Sequence, residues 1–342
     1  MQPVTHNTVQ LKRLNVELVR NALKAMGVAT KAAIAQTTTL SVATCSTILN
    51  ELLKTGEVLE TESGESSGGR PAKQYQYNAD YAYVLLLLVR TEGGVHSIKA
   101  VLANMLGEPA REDTHTYSEI DAGTIEALVE RYISEHPNVQ AAGIGIPGVA
   151  RSGVIGICDV PALSGVDLGG RLEDKYGLKV TVENDMNLTI YGFYRMQNYD
   201  EEKTLAIVTF PRNHFPGAGF IVDGRILAGN TRFGGEVSYL PFGITRAEQL
   251  QLMHTTGGFL ELAVKTVISI IAIINPLSIV LTGDLFRESM REALEAGCRR
   301  EIPAEHMPLL IIRQDTEPEY VSGLTAMTLE SLSYHLQLVE RR

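Results

Sequence analysis

The sequence predicts an α/β protein in two unequal parts. An N-terminal winged helix-turn-helix is expected over residues 1–79, and a two-lobed body over the rest. Three observations carry this. The first 79 residues pattern as three helices and a β-ribbon. The remainder runs twice through the same order, a meander of strands followed by helix and strand. Charge is also divided: the chain has 342 residues and a net charge of −10, yet the head carries eight Lys/Arg against six Glu. A faintly basic head on a strongly acidic body implies two jobs. It also excludes a wholly basic nucleic-acid coat.

The first helix is expected over Thr8–Met26, with Leu11, Leu14, Leu18, Val19, Ala22 and Leu23 at helical spacing on one face. Gly27 ends it, because glycine adopts the left-handed conformation cheaply. Thr30 can cap a second helix, Lys31–Thr37, and Ser41 a third, Val42–Lys54. On the third helix Cys45, Ile48, Leu49, Leu52 and Leu53 face inward; Thr44, Ser46, Thr47 and Asn50 face outward. Two strand-like runs follow, Val58–Thr61 and Gln74–Tyr77, around the polar segment SGESSGGRPAK. In a winged helix-turn-helix the third helix enters the major groove of duplex DNA. Ser41, Thr44, Ser46, Thr47 and Asn50 are then the candidates for base edges, and Arg70 and Lys73 on the wing for phosphates or a minor groove. The low charge makes paired heads on a two-fold site the expected mode of binding. The same module used for protein contacts is the competing reading.

In the body, Tyr83–Arg90, Val95–Met105 and Glu108–Thr116 read as antiparallel strands, Ile120–Glu135 as a helix and Val139–Ile146 as a buried strand. A strand at Val180–Glu183 leads into a helix over Asn184–Met196. Leu205–Phe210, Gly219–Val222 and Arg225–Leu227 form further strands, with Asp223-Gly224 as a hairpin turn. A long apolar helix, Gly258–Ile274, precedes the strand Ser278–Thr282, and Gly323–Val339 closes the chain as a helix. The expected lobes are residues 80–183 with 323–342, and residues 184–322, facing a cleft. Neither of the longest apolar runs, Val84–Val89 and Val267–Ile274, reaches the ~20 residues of a membrane span. Three scattered cysteines, Cys45, Cys158 and Cys298, form no CxxC pair, and the N-terminus has no leader pattern. Both fit a cytoplasmic protein.

Gly143-Ile-Gly145-Ile-Pro-Gly148 satisfies GxGxxG after a strand. The continuation is broken by Gly and Pro, so no long helix meets a pyrophosphate, and a tight turn lining a cleft is the better reading. No GxxxxGK[ST] run is present. Val182-Glu183-Asn184-Asp185 places polar groups where a strand meets a helix; Asp185 is either a general base or hydroxyl ligand, or Asn184 and Asp185 are simply caps. Glu236, in a Gly234-Gly235 turn, can accept two sugar hydroxyls, against a plain surface role. Glu261 lies near a helix start, where the dipole alone accounts for it. No metal is expected: the eight histidines are scattered, and none pairs with a cysteine at zinc-finger spacing.

Taken in order, these pieces resemble the ROK (repressor, open reading frame, kinase) family over nearly the whole chain. Its repressor branch is matched by Asn15, Leu40-Ser41-x-Ala43-Thr44 and the wing Gly68-Gly69-Arg70-Pro71. The body matches through Gly143-x-Gly145-x-Pro147-Gly148, Val182–Asn187, Gly235-Glu236, and Asn275-Pro276 leading to Gly283. The resemblance implies a sugar-kinase/actin-like (ribonuclease H-like) body with a sugar site of Asn184, Asp185, Glu236 and Glu261. It also implies departures. The DxGxT phosphate loop of the kinases becomes Arg90-Thr91-Glu92-Gly93-Gly94, and the second phosphate loop becomes Pro211–Gly217. The zinc histidine falls on Tyr239, its cysteines near Leu252, His254 and Phe259, and a sugar-contacting Asn on Ala162. No cofactor and no kinase activity are then expected, because phosphoryl transfer depends on positioning and charge neutralisation. A loop held by packing around Phe259 replaces the zinc site. The acidic pocket suits a polyol more than a phosphorylated sugar, unless Arg90, Arg151 or Arg212 adds charge. The resulting expectation is a cytoplasmic transcriptional regulator, most simply a repressor, acting as a dimer or tetramer on operator DNA, with a sugar-type effector and no membrane partner. The alternatives are a sugar kinase with atypical loops and a protein-docking module.

Overall fold

The computed structural model describes residues 8–61, 72–92 and 95–333. Helix α1 spans Thr8–Met26 and ends at Gly27, whose φ of 70° suits glycine. Strand β1 (Val28–Thr30) leads directly into α2 (Lys31–Thr38), where the Thr30 side chain accepts from the Ala33 N–H. The Ser41 hydroxyl accepts from the Thr44 N–H at 3.0 Å and caps α3 (Val42–Thr55). Each such cap stabilises by about 1 kcal/mol. Between α2 and α3 the chain turns through 114°. Strands β2 (Val58–Thr61) and β3 (Gln74–Tyr77) pair antiparallel, and β1 adds to the far side of β3. The ribbon therefore has a third strand, too short at three residues to show a period of two. Val19, Leu23, Ile34, Cys45, Leu49 and Tyr75 form the core of this unit. The expected face of α1 is narrower than its pattern: Leu11 and Leu18 are 44% and 37% exposed. Arg70 lies outside the described residues.

The body opens with the antiparallel meander β4 (Tyr83–Glu92), β5 (Val95–Asn104) and β6 (Pro109–Tyr117). Helix α4 (Ala122–Glu135), capped by Asp121, returns the chain to β7 (Val139–Ile146), which runs parallel to β4. A hairpin of β8 (Gly148–Arg151) and β9 (Val154–Cys158) projects from the end of β7. Helix α5 (Leu168–Tyr176) precedes β10 (Lys179–Asn184), completing a sheet in the order β10-β7-β4-β5-β6. Helix α6 (Asp185–Gln197) crosses to the second sheet, built from β11 (Leu205–Thr209), β12 (Gly217–Val222) and β13 (Arg225–Ile226). After α7 (Arg246–Met253) and α8 (Thr256–Ile274) comes β14 (Ser278–Thr282); after α9 (Arg291–Cys298) comes β15 (Leu309–Ile312). The order is β13-β12-β11-β14-β15. The last helix, α10, spans Glu317–Leu332, six residues earlier than its expected start, and Pro318 sits within its first turn. Residues 334–339 of the expected helix lie outside the described part.

Several short elements of the body carry no clear period. In α5 a Gly-Gly pair weakens helix propensity, and α7, α9, β8, β9 and β15 are short. Central strands β4 and β14 carry unbroken apolar runs, Val84–Val89 and Ile279–Leu281, because both their faces are covered. Helix α8 is long and apolar enough to cross a membrane by length and composition. Here it supplies Phe259, Leu262, Ala263, Val267 and Ile271 to the second sheet's core. Helix α6 lies on β11 and β12, α10 lies on β4 and β7, and the two helices pack on each other between the sheets. Their crossing is at Gly192 and Gly323, where any Cβ would strike the backbone of the other helix.

Candidate functional site

The site grows from the junction of β10 and α6. Asn184 caps α6: its Oδ1 accepts from the Asn187 N–H at 3.0 Å. Its Nδ2 donates to the Gly148 carbonyl at 3.0 Å and to Asp185 Oδ1 at 3.1 Å. The capping role and the cleft role are thus the same residue's. Asp185 follows on the floor of a cleft of about 350 Å³ between the lobes. Burial pushes its carboxyl up to about 7; the Met186 N–H at 2.8 Å opposes this, while Asp159 and Glu236 add to it. Burial and Asp159 likewise raise Glu236, which Arg246 counters. Asp159 is raised by burial and lowered by His214, whose Nδ1 lies 3.6 Å away. Glu236 is placed by Gly235, at φ 106°, where a Cβ would strike the Ala218 carbonyl. The three carboxyls, all raised by burial, can accept from adjacent hydroxyls, and Asp185, at about 7, can also donate when protonated.

Glu261 is not part of this cleft. It sits on α8 two residues past the buried Phe259, roughly 200° around the helix. It is exposed, pairs with Lys265 at 2.6 Å, and lines a separate groove. Phe259 itself packs edge-to-face with Phe210 and Phe286, ring centroids 5.4 and 5.1 Å away. Among the described residues no cluster of His, Cys, Asp and Glu could hold a metal ion.

Of the guanidiniums expected in the cleft only Arg90 lines it; Arg232 and Arg246 are there as well. Arg232 donates to the buried Glu183 at 3.1 Å, joining the lobes. Arg246 is stacked between the rings of Phe215 (3.6 Å) and Tyr239 (4.2 Å) and donates to Ser238. Its signal in the sequence was the Thr245–Glu248 capping box that starts α7 and so fixes where Arg246 points. Arg90 pairs with Glu317 at 2.8 Å, and Glu317 with Lys99 at 2.6 Å. An ion cluster thus occupies the place the resemblance gives to the first phosphate loop. The loop before β12 is used differently too: His214 faces Asp159, and Phe215 supports Arg246.

In the N-terminal unit, Ser41 and Thr44 bond each other at 2.8 Å. Ser46 accepts from Lys31, Thr47 donates to the Ala43 carbonyl, and Lys73 pairs with Glu60 at 2.7 Å. Thr47 and Asn50 are exposed on the outer face of α3.

Two α/β sheets flanking a polar cleft, with an acid at the strand-to-helix junction, make a sugar-kinase-like fold. The ROK family model matches residues 90–247. A xylose repressor of Caldicellulosiruptor bescii is 26% identical over 247 residues, 68% of this chain and 60% of the relative. An N-acetyl-D-glucosamine kinase of Vibrio parahaemolyticus is 32% identical over 35% of this chain and 40% of its own. The chain spans about 60% of the length of the curated repressors it matches. Among solved structures, a ROK family transcriptional regulator, a homologue of the E. coli MLC protein, superposes with a TM-score of 0.66 and 19% identity, covering 94% of this chain and 97% of its own. The ROK hexokinase of Thermus thermophilus gives a TM-score of 0.57 at 19% identity, over 73% and 99%.

Proposed function

We propose that this chain is a sugar-responsive transcriptional repressor without kinase activity. The observation that carries the reading is one chain holding both a capped helix pair with a polar outer face on α3 and a carboxylate-lined cleft whose first phosphate-loop position is an Arg90–Glu317–Lys99 ion cluster. Residues 1–79 are a winged helix-turn-helix that reads duplex operator DNA through α3. Residues 80–183 with the C-terminal helix, and residues 184–322, are the two lobes. A sugar held by Asn184, Asp185 and Glu236 changes the angle between lobes, and with it the spacing of two heads in a cytoplasmic homodimer or homotetramer. Such a switch requires different sugar affinities in the two states. The relatives named xylose repressors make D-xylose the first sugar to try.

The test is a gel-shift series with the DNA upstream of the protein's own gene, with and without D-xylose. Retardation at low salt is expected, weakening steeply as salt rises; no retardation at low salt overturns the proposal. Asn50→Ala should weaken specific binding by about 1–3 kcal/mol without lowering the melting temperature, since Asn50 is exposed.

A sugar kinase is the second reading. Asp185, raised to about 7, suits a general base. ADP release on a hexose and amino-sugar panel would establish that reading instead.

A further inference from the structure

Tyr320 lies in the first turns of α10 and is 4% exposed, yet its hydroxyl has no hydrogen-bond partner among the described residues. A buried phenol without a partner is costly to keep. Tyr320 also lines the cleft. Its ring packs over β7 at Gly145, where any Cβ would collide with the Tyr320 side chain. The Arg90 guanidinium lies 5.7 Å from the ring centre. Asp185 is close enough to act electrostatically on the hydroxyl. Nothing in the motifs of the sugar site pointed to this residue.

We propose that the Tyr320 hydroxyl is a specificity-determining contact to the effector, donating to a sugar hydroxyl that in turn donates to Asp185. This rests on the sugar-cleft reading above and adds to it a residue and a chemistry. An alcohol can accept from a phenol and donate to a carboxylate at once. An ammonium group cannot accept, and a phosphate beside Asp185, Asp159 and Glu236 meets like charge. The effector is therefore a neutral polyol at this point. The placement also links cleft and head. Farther along the same α10, Leu329 and Leu332 pack against the core of the N-terminal unit. Twelve residues of helix, about 18 Å at 1.5 Å each, separate Tyr320 from Leu332 at the head.

The experiment uses the full chain and its Tyr320→Phe variant. Binding of D-xylose, D-glucose and N-acetyl-D-glucosamine is measured by calorimetry, and thermal unfolding is followed without sugar. The expected result is a five- to tenfold loss of affinity for whichever sugar the parent binds, about one net hydrogen bond. Unfolding without sugar should occur at the same or a higher temperature, because the substitution removes an unpaired buried group. Unchanged affinity overturns the proposal and leaves the sugar-cleft reading standing. A marked drop in unfolding temperature also overturns it, because the hydroxyl would then serve the fold. If the parent binds none of the three sugars, the sugar-cleft reading itself fails, and this proposal fails with it.

Discussion

Asp185 shows how one side chain's surroundings set its chemistry. Burial, then the neighbouring Asp159 and Glu236, lift its carboxyl to about 7 from an ordinary value near 4. The folded protein therefore holds this proton more tightly than the unfolded chain. The resulting stabilisation is complete below about pH 4 and is lost as pH rises to 7, up to about 4 kcal/mol. Asp185→Asn should flatten the fall in unfolding free energy between pH 5 and 8, read from urea titrations at each pH. Some slope remains, because Asp159 and Glu236 are also raised. Asn184, Asp185 and Glu236 were legible in the sequence because each sits beside a structural signal, a strand end or a glycine turn. Glu261 was misplaced because helical phase, invisible in a motif match, turns it outward. Arg232, Arg246 and Tyr320 were missed because they enter the cleft from loops and a helix distant in sequence.

At the scale of elements, the crossing of α6 and α10 depends on two glycines. Gly323 faces the Leu188 carbonyl and Gly192 faces the Glu319 carbonyl. Gly323→Ala forces backbone against backbone, which no side-chain rotamer relieves. It should destabilise by about 3 kcal/mol, read as a lower urea midpoint with the slope preserved. Gly143 and Gly145 also admit α10, here against its side chains: Thr328 lies over Gly143 and Tyr320 over Gly145, which explains the first two glycines of GxGxxG. Gly148 instead faces the backbone of β9 at Ile157 and Cys158. Long elements were readable, α4 from its helical spacing and β4 and α8 from their long apolar runs. Short ones, β1 and β15 among them, were not, because their position is set by a neighbouring strand and not by local pattern.

Across the whole molecule, the lobes are joined by charged contacts. Glu183 on β10 meets Arg232 after β13, and Asp159 meets His214. Among the described residues, Arg232→Ala would leave the buried Glu183 with only the Asn187 amide and the Asn184 N–H. Because Arg232 is partly solvated, the expected loss is about 1–2 kcal/mol. Amide exchange over residues 183–187 should quicken in parallel; unchanged exchange and stability would show that the pair does not hold the lobes. The head is anchored less firmly. Lys24 donates to the Met105 carbonyl at 3.3 Å, and Met105, Leu329 and Leu332 complete its apolar contact. The two-lobed plan was readable from the repeated order of elements. The head's seat on α10 was not, because it joins residues some three hundred positions apart.

The cluster of Arg90, Glu317 and Lys99 makes one carboxylate the arbiter of the charge at that corner. Glu317 neutralises both cations, while Lys99 also holds Glu112. Exchanging Glu317 for a neutral side chain would present the Arg90 guanidinium to the cleft as net positive charge; exchanging Arg90 would do the opposite.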